Sequence, residues 1–352
     1  MMTRSTVAVA RRALVLATLL TAACDLPTSA PKVQTTWVIP IAGDSVSANS
    51  LLPAGVTVAA DTLITSVPAY HGAHTLGQLC AACTQPVYAP VPAFTGAVTD
   101  TVPLPANVQA VTLDAAVRIP VAVTHEFGFD PLHPSATAQG TLTLTLSANG
   151  AVLAADTVVG GAPWTRGSSL TLPLTVPAGA TIAGPLTVRA TIATPAGDPA
   201  LIDPSAALDV DVPQVFIRAG SAVAQLQSQP LLPMHFSVDP SSVSPNARNR
   251  VQSGVLDLIV NNPVTASGTL SLNFVGNSAA LITPRTVALS GRAVDTLQVP
   301  FATADIQALL VRQLVQVTVS GTVSGSGADH LVSFRPGLTI SVRPSLTVTT
   351  NF

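Results

Sequence analysis

The residues best suited to chemistry in this sequence lie between His71 and Cys83. This segment carries His71 and His74 in a His-x2-His spacing, and Cys80 and Cys83 in a Cys-x2-Cys spacing. Imidazole nitrogens and thiolates are the ligands that zinc and copper prefer, and four of them can close a tetrahedral site. The pattern therefore allows an extracytoplasmic zinc, copper or redox site that uses all four side chains.

A local disulfide between Cys80 and Cys83 competes with that metal site, because thiols of an exported chain meet an oxidising compartment. A thioredoxin-like role needs the cysteine pair at a helix start within a βαβ pattern, and neither flank has that pattern. Haem attachment needs His after the second cysteine, where this chain has Thr84. We favour the disulfide, with the metal site and two free thiols as alternatives.

A second cluster combines His125, Glu126, Asp130 and His133, and it contains the only Glu of the chain. A zincin needs His-Glu-x-x-His on a helix. Here residue Phe129 occupies the position of the second His, and nearby Gly and Pro prevent a helix. We predict a loop between strands. The alternatives are a carboxylate–imidazole site for a metal or for acid–base chemistry, or a carbohydrate-acting enzyme with His125 and Asp130 in a deep cleft.

Asp209 and Asp211 alternate with apolar residues, so they should share the solvent face of one strand, where calcium binding is a minor alternative. The sequence has no Gly-x-Ser-x-Gly elbow, no phosphate-binding Gly loop and no close pair of unlike carboxylates. These are the signatures of common hydrolase and transferase sites. Their absence from the sequence argues against an enzyme.

Short alternating segments must position these side chains: strand-like stretches recur at intervals of roughly 8–15 residues, and Gly and Pro separate them. Clear strand patterns occupy these ranges: 117–123, 141–146, 170–176, 186–192, 207–212, 255–260, 269–274, 296–301, 314–319 and 338–342. Such spacing is typical of sandwiches or barrels. We predict an all-β fold of tandem Ig-like antiparallel β-sandwiches.

Three segments repeat in order at offsets of 128, 127 and 131 residues: 140–146 with 268–274, 172–174 with 299–301, and 208–213 with 339–344. This repeat predicts one sandwich at 102–213 and a second at 234–352, joined by a linker at 214–233. Residues 34–101 should then form a small N-terminal β region that carries the cysteine pair.

One short helix is expected after Thr303, which can cap a run with Ile306, Leu309, Leu310 and Leu314 at helical spacing. Such an apolar stripe packs on a sandwich.

Charged residues make up 9% of the chain, against roughly 25% in a typical soluble domain. Beyond residue 23 there are 12 basic and 17 acidic residues and no basic stripe. This balance argues against nucleic acid or an anionic membrane surface as a partner. An aromatic content of 4% also disfavours a carbohydrate-binding face built on Trp and Tyr.

The first 23 residues have the pattern of a secretory signal peptide: early Arg residues, then an apolar stretch of 11 residues that ends at Ala23. A transmembrane helix needs roughly 20 residues. The end of this stretch, Thr21-Ala22-Ala23-Cys24, resembles the lipobox of bacterial lipoproteins, with Thr21 where Leu is usual. The resemblance implies that Cys24 is lipidated and becomes the first residue; ordinary signal peptidase cleavage after Ala23 is the alternative.

Residues 24–33 then form a tether. Lipidation would also leave Cys80 and Cys83 as the only pair of the mature chain. Together these features predict a non-catalytic envelope lipoprotein without a cofactor, attached to the membrane by its lipid and facing a protein or cell-wall partner. The alternative is the metal-binding or redox protein that uses His71, His74, Cys80 and Cys83.

Overall fold

A computed structural model describes residues 33–351. The signal peptide, the lipobox and Cys24, nearly all of the tether, and Phe352 lie outside the described residues.

The strands of the described chain are numbered in chain order. The first nine are β1 (Gln34–Pro40), β2 (Asp44–Ser47), β3 (Thr57–Ala59), β4 (Thr62–Val67), β5 (Tyr70–Thr75), β6 (Val87–Pro90), β7 (Phe94–Val102), β8 (Val108–Leu113) and β9 (Val117–His125). The next eight are β10 (Thr141–Ala148), β11 (Ala151–Val159), β12 (Ser169–Val176), β13 (Thr181–Ala183), β14 (Leu186–Thr194), β15 (Pro199–Ile202), β16 (Ala207–Val212) and β17 (Val215–Gln225).

The remaining strands are β18 (Gln229–Val238), β19 (Val251–Asn261), β20 (Ser267–Gly276), β21 (Ala279–Ala280), β22 (Arg285–Ser290), β23 (Val294–Phe301), β24 (Val315–Ser324), β25 (Leu331–Phe334) and β26 (Thr339–Asn351). The helices are α1 (Leu76–Leu79), α2 (Pro245–Arg248) and α3 (Thr303–Leu310), with 3₁₀ turns at Ala48–Leu51 and Pro240–Ser242. Of the helices found between residues 33 and 351, none has the length and apolar character to cross a membrane.

Alternating Thr and Leu make β10 a typical strand of this protein. Leu142, Leu144 and Leu146 are buried, whereas the Thr residues between them lie towards solvent. Thr is β-branched and suits the exposed face of a strand. Each Leu withdrawn from water contributes about 2 kcal/mol before conformational entropy is subtracted.

The first sandwich packs two antiparallel sheets face to face. Their strand orders are β11-β10-β14-β7 and β12-β9-β16-β5. The second sandwich also packs two sheets, with the strand orders β22-β20-β24-β18 and β23-β19-β26-β1. In addition, β21 pairs with β20 in the first of these sheets, and β2 pairs with β26 in the second. The all-β sandwich architecture expected from the sequence is therefore confirmed.

The two sandwiches have the same strand order, which supports the internal repeat. Strand β5 of the first sandwich corresponds to β1 together with β2 of the second. The other correspondences, in chain order, are β7 with β18, β9 with β19, β10 with β20, β11 with β22, β12 with β23, β14 with β24, and β16 with β26. A one-turn helix follows the first strand in both sandwiches, as α1 after β5 and as the 3₁₀ turn after β2.

The third repeat offset is wrong by one residue. Leu208 is buried, but the residue 131 positions later, Thr339, is exposed, and Ile340 is the buried one. A shift of one residue moves every side chain of a strand to the opposite face of its sheet. The correct offset in this strand is therefore 132 residues.

The expected boundaries differ from the observed ones. Strands β1 and β2 pair with β26, so the first strand of the second sandwich comes from the start of the chain. Strands β5 and β7 belong to the first sandwich, and the range 34–101 is not a separate region. The whole first sandwich is thus inserted between β2 and β18. Alternation reveals a strand but not its distant partner, which explains the error.

The range 214–233, expected to be a linker, is also strand. Strand β17 pairs with β4 over residues 215–219, with β8 over residues 219–224 and with β25 over residues 222–225. These strands form a joining sheet, in the order β13-β8-β17-β4-β3, that takes strands from both repeats. A separate two-stranded ribbon pairs β6 with β15.

Helix α3 forms where the sequence predicts it, and Ile306, Leu309 and Leu310 are buried. Thr303 is its first residue and not its cap, because the N-cap is Ala302 and the Thr303 hydroxyl donates to the Gln252 carbonyl. Leu314 lies beyond the helix and is 47% exposed, which differs from the expectation that it packs with the others.

Candidate functional site

The cysteine pair follows strand β5 closely in the chain, after one short helix. Helix α1 follows that strand and begins with a capping box, in which the Gln78 side chain accepts the backbone N–H of Thr75 at 2.9 Å. Cys80 and Cys83 follow the helix, are both buried, and are joined by a disulfide. The bond consumes both thiolates, so neither sulfur is available as an anionic metal ligand.

The two histidines of this segment point to opposite faces of β5. His71 lies on the outer face and His74 faces Asp100 in the sandwich interior. Among residues 33–351, no three His, Cys, Asp or Glu side chains converge as a metal site. The hypothesis of a zinc or copper site built from His71, His74, Cys80 and Cys83 is therefore wrong, because the four groups do not meet.

The inner face of β5 carries a buried polar network. The Tyr70 hydroxyl donates to Asp100 Oδ1 at 2.9 Å, and His74 Nε2 lies 3.0 and 2.9 Å from the two oxygens of the same carboxylate. Asp100 comes from β7 in the opposite sheet and is only 6% exposed. The carboxylate therefore joins the edge strands of the two sheets.

Gly72 makes room for this carboxylate between Tyr70 and His74. A Cβ at residue 72 would lie 2.6 Å from Asp100 Oδ1, which is far inside van der Waals contact. The hydrogen bond to Asp100 is the main cause that raises the pKa of Tyr70, and burial and the carboxylate charge add to it. Tyr70 therefore stays a donor to Asp100 at physiological pH.

The outer face of β5 carries a charged cluster. His71 Nδ1 lies 2.8 Å from Asp211 Oδ1, and His71 Nε2 lies 4.0 Å from Asp209 Oδ1. The hydrogen bond to Asp211 and its charge raise the pKa of His71, with a smaller contribution from Asp209. Both aspartates share the outer face of β16, as their spacing predicts, but they face an imidazole that sequence spacing did not connect to them.

A shallow cavity of about 530 Å³ adjoins this cluster, and we call it the first-sandwich groove. Its lining is mostly apolar and comprises Ala69, Tyr70, His71, Pro120, Ala122, Thr171, Asp211, Val212 and Pro213. The second sandwich has a cavity of about 460 Å³ at the same place, lined by Ile41, Gly43, Asp44, Ser45, Ser341, Val342 and Arg343. The histidine–aspartate pair is replaced there by Gly43 and Arg343.

The His125 side chain is buried and hydrogen-bonded to the protein backbone on both ring nitrogens. His125 has no exposed surface, its Nε2 donates to the Trp164 carbonyl at 2.8 Å, and its Nδ1 accepts the Phe127 N–H at 3.2 Å. Burial lowers the pKa of His125, because the charged form loses its hydration. Its aromatic neighbours Phe127 and Trp164 complete the packing around the ring.

The carboxylate of Asp130 organises the loop that follows. It accepts the backbone N–H groups of Leu132 at 2.8 Å and Trp164 at 2.8 Å, and His133 Nδ1 lies 3.2 Å away. Glu126 pairs with Arg166 at 2.8 Å on the surface. These bonds agree with the loop predicted from the sequence. The His125 imidazole, which a carbohydrate-acting enzyme would need in a deep cleft, has no exposed surface.

Sequence reasoning missed Tyr70 and Asp100. Tyr70 and His74 have the even spacing that places two side chains on one strand face, which was a usable signal. Asp100 lies 26 residues further along the chain from His74, and no local pattern connects it to β5.

No protein family and no curated protein matches the sequence. Among solved structures, similarity extends to a protein of Parabacteroides distasonis that is inferred to be secreted, at 10% identity and a TM-score of 0.32, over 89% of this chain and 99% of that one. The CBM22-1–CBM22-2 tandem domain of Xyn10C from Paenibacillus barcinonensis has 7% identity and a TM-score of 0.20, over 78% and 96%. Likenesses at these TM-scores carry no argument about function.

Proposed function

We propose that this protein is an exported, lipid-anchored binding protein without catalytic activity, whose first-sandwich groove holds an extended segment of a protein partner. The observation that carries this proposal is the groove itself, which has an apolar floor beside the His71–Asp211 pair. The equivalent cavity of the second sandwich lacks that pair. The export and the anchor rest on the signal peptide pattern and the lipobox-like Cys24.

The chemistry of the groove favours an apolar segment that carries a Lys or Arg. Pro120, Ala122 and Pro213 offer a rigid apolar floor that costs little side-chain entropy when it is covered. Asp209 and Asp211 carry two negative charges against one imidazole, so their rim attracts a cation. Within residues 33–351, strand β5 is also the edge of its sheet, where an extended peptide can add as a further strand.

The absence of catalysis is supported by the way the ionisable groups are used. Asp100 holds Tyr70 and His74, Asp130 holds a loop, and the His125 imidazole is enclosed. A general base must reach a substrate proton within hydrogen-bond distance, and these groups already bond to protein atoms inside the fold.

Site-specific photo-crosslinking tests the groove. A photoreactive residue replaces Thr171 in the groove, and a matched control replaces Thr296, its exposed counterpart on β23. We expect adducts with one protein in intact cells from position 171 and none from position 296. The Asp211→Arg substitution reverses the rim charge at a side chain that is 47% exposed, so we expect the fold to be kept. This variant should abolish the adduct and weaken binding of the purified partner.

Equal crosslinking from both positions, or adducts with cell-wall glycan alone, would overturn the protein-binding proposal. The mass of the mature chain tests the anchor: we expect a diacylglycerol-type group on Cys24, and an unmodified Cys24 amino terminus contradicts it. A hydrolytic or transfer activity that one side-chain substitution removes would contradict the non-catalytic assignment.

A further inference from the structure

We infer that one end of the second sandwich lies against the phospholipid surface and inserts the turn Val311–Leu314 at the headgroup level. We call this end the membrane-facing end. It comprises the start of β1, the end of β26, and the chain segments 239–250 and 302–314. The inference rests on the proposed anchor and adds a contact between the folded protein and the bilayer.

Strand register places these segments together. Gln34 pairs with Asn351, and Thr350 pairs with Val251. The start of β1, the end of β26 and the start of β19 therefore lie at one end of the sandwich. In the facing sheet, Val315 pairs with Val238 and Gln316 pairs with Val275. Helix α3, which packs on β19, therefore lies at this end together with the turn that follows it.

The first sandwich lies beyond the opposite end. Strand β2 ends at Ser47, which pairs with Thr339, and the chain returns to the second sandwich at Gln229, which pairs with Val323. Both crossings to the inserted sandwich thus occur away from Gln34. Cys24 and Gln34 are ten positions apart, which limits the reach of the tether to about 35 Å when fully extended. The anchor therefore keeps the membrane-facing end near the bilayer and presents the groove away from it.

The surface at this end has the composition of an interfacial contact. Val311 is 69% exposed and Leu314 is 47% exposed, and the exposed Arg312 lies between them. Apolar side chains beside Arg suit the headgroup boundary, where the apolar groups leave water and the guanidinium meets phosphate. Nothing in the described chain covers Val311 or Leu314.

The charges of this end differ from those of the whole chain. Arg248, Arg250, Arg285 and Arg312 lie here against Asp239 and Asp305, and Arg285 pairs with Asp305. The chain beyond residue 23 is acidic overall, with 17 acidic and 12 basic residues. The sequence has no basic stripe, but the fold brings these arginines together from three separate segments, 239–250, 302–314 and the start of β22, at the end where β1 begins.

An environment-sensitive fluorescent amino acid at position 313 tests the contact, with position 293 as the matched control. Ala293 is also exposed and lies in a turn at the opposite end of the same sandwich. The full mature chain is coupled through Cys24 to vesicles of phosphatidylethanolamine and phosphatidylglycerol by a thiol-reactive lipid. This coupling fixes the attachment point whether or not cells lipidate Cys24.

We expect a blue-shifted, brighter emission at position 313 and quenching by nitroxide lipids, with neither change at position 293. The V311S/R312Q/L314S variant should lose the shift while its thermal unfolding is unchanged, because these side chains are exposed. If the emission at position 313 keeps the wavelength and brightness of a water-exposed probe, as at position 293, the inference is overturned. An unmodified Cys24 in cell-made protein would instead contradict the proposed anchor, and the two failures are thereby distinguished.

Discussion

The two sandwiches close the same edge with a carboxylate that comes from opposite strands. In the first, Asp100 on β7 holds Tyr70 and His74 on β5. In the second, Asp44 on β2 accepts the backbone N–H of His235 on β18 at 2.7 Å. Both sandwiches therefore join these two edges through a carboxylate, but the strand that supplies the carboxylate differs.

The residues that correspond to Tyr70, His74 and Asp100 are Ala42, Val46 and Phe236. Helix α1 starts two residues after His74, as the 3₁₀ turn starts two after Val46. Asp100 pairs with Val188, and Phe236 pairs with the equivalent Val317. A buried polar network in one copy thus replaces a partly apolar edge in the other, which shows that the network is not required for the sandwich.

Loss of the Asp100 carboxylate should be the most damaging change. Asp100→Ala leaves Tyr70 and His74 without their acceptor and should cost about 3–5 kcal/mol in the free energy of unfolding of the first sandwich. The combined Y70A/H74V/D100F variant, which installs the residues of the second copy, should cost less than the single change. Urea unfolding measures both.

Asp257→Ala provides the control, because its exposed carboxylate bonds only to Gln298 on the outer face of the second sandwich. We expect a change within about 0.5 kcal/mol there. Equal costs for D100A and D257A would show that the edge network does not stabilise the first sandwich.

His125→Ala should rank next, with a cost of about 3 kcal/mol from the lost ring and its two hydrogen bonds. The lowered pKa of folded His125 means that the unfolded chain binds its proton more readily. This stability is therefore complete above the ordinary pKa of 6.5 and declines as pH falls below it.

The second sandwich has buried Asn262 just after its equivalent strand, with Nδ2 donating to the Ala266 carbonyl at 2.8 Å. Asn does not titrate, so unfolding of the first sandwich alone should become easier between neutral pH and about pH 5. The H125N variant should flatten that dependence; an unchanged slope would assign it to another group.

The disulfide should contribute less than either polar cluster. The C80A/C83A variant removes a cross-link that closes a very short loop, and loop-closure entropy predicts a loss of about 2 kcal/mol. The second sandwich folds its equivalent turn without a disulfide, so the variant should stay folded. Calorimetry in reducing and oxidising buffer measures the difference, and wild-type protein that is insensitive to reductant would contradict the prediction.

The smallest effect concerns the surface cluster. The D211N variant should lower the pKa of His71 towards its ordinary value of 6.5, and D209N should lower it less, in the order of their contributions. NMR titration of the imidazole measures both, and thermal unfolding should not change because His71 is exposed. A pKa that is insensitive to both substitutions would remove the charge pair from the groove.

Much of the fold could be predicted from local patterns. Period-2 alternation identified strands such as β10 and β20, and apolar spacing located α3. The repeat was visible because Leu142 and Leu270 occupy equivalent buried positions. The chain after His125, through His133, was correctly expected to be a loop, since Gly128 and Pro131 exclude a helix.

The sequence by itself determined which side chains share a strand face, because alternation is a property of adjacent residues. It also determined the signal peptide pattern, and lipidation of Cys24 stays a prediction. Only the tertiary structure decided that β1 and β2 belong to the second sandwich and that Asp100 meets His74. Both facts depend on pairing between distant segments, and alternation does not identify which distant segment a strand pairs with. The same limit applies to the His71–Asp211 pair and to the arginines of the membrane-facing end.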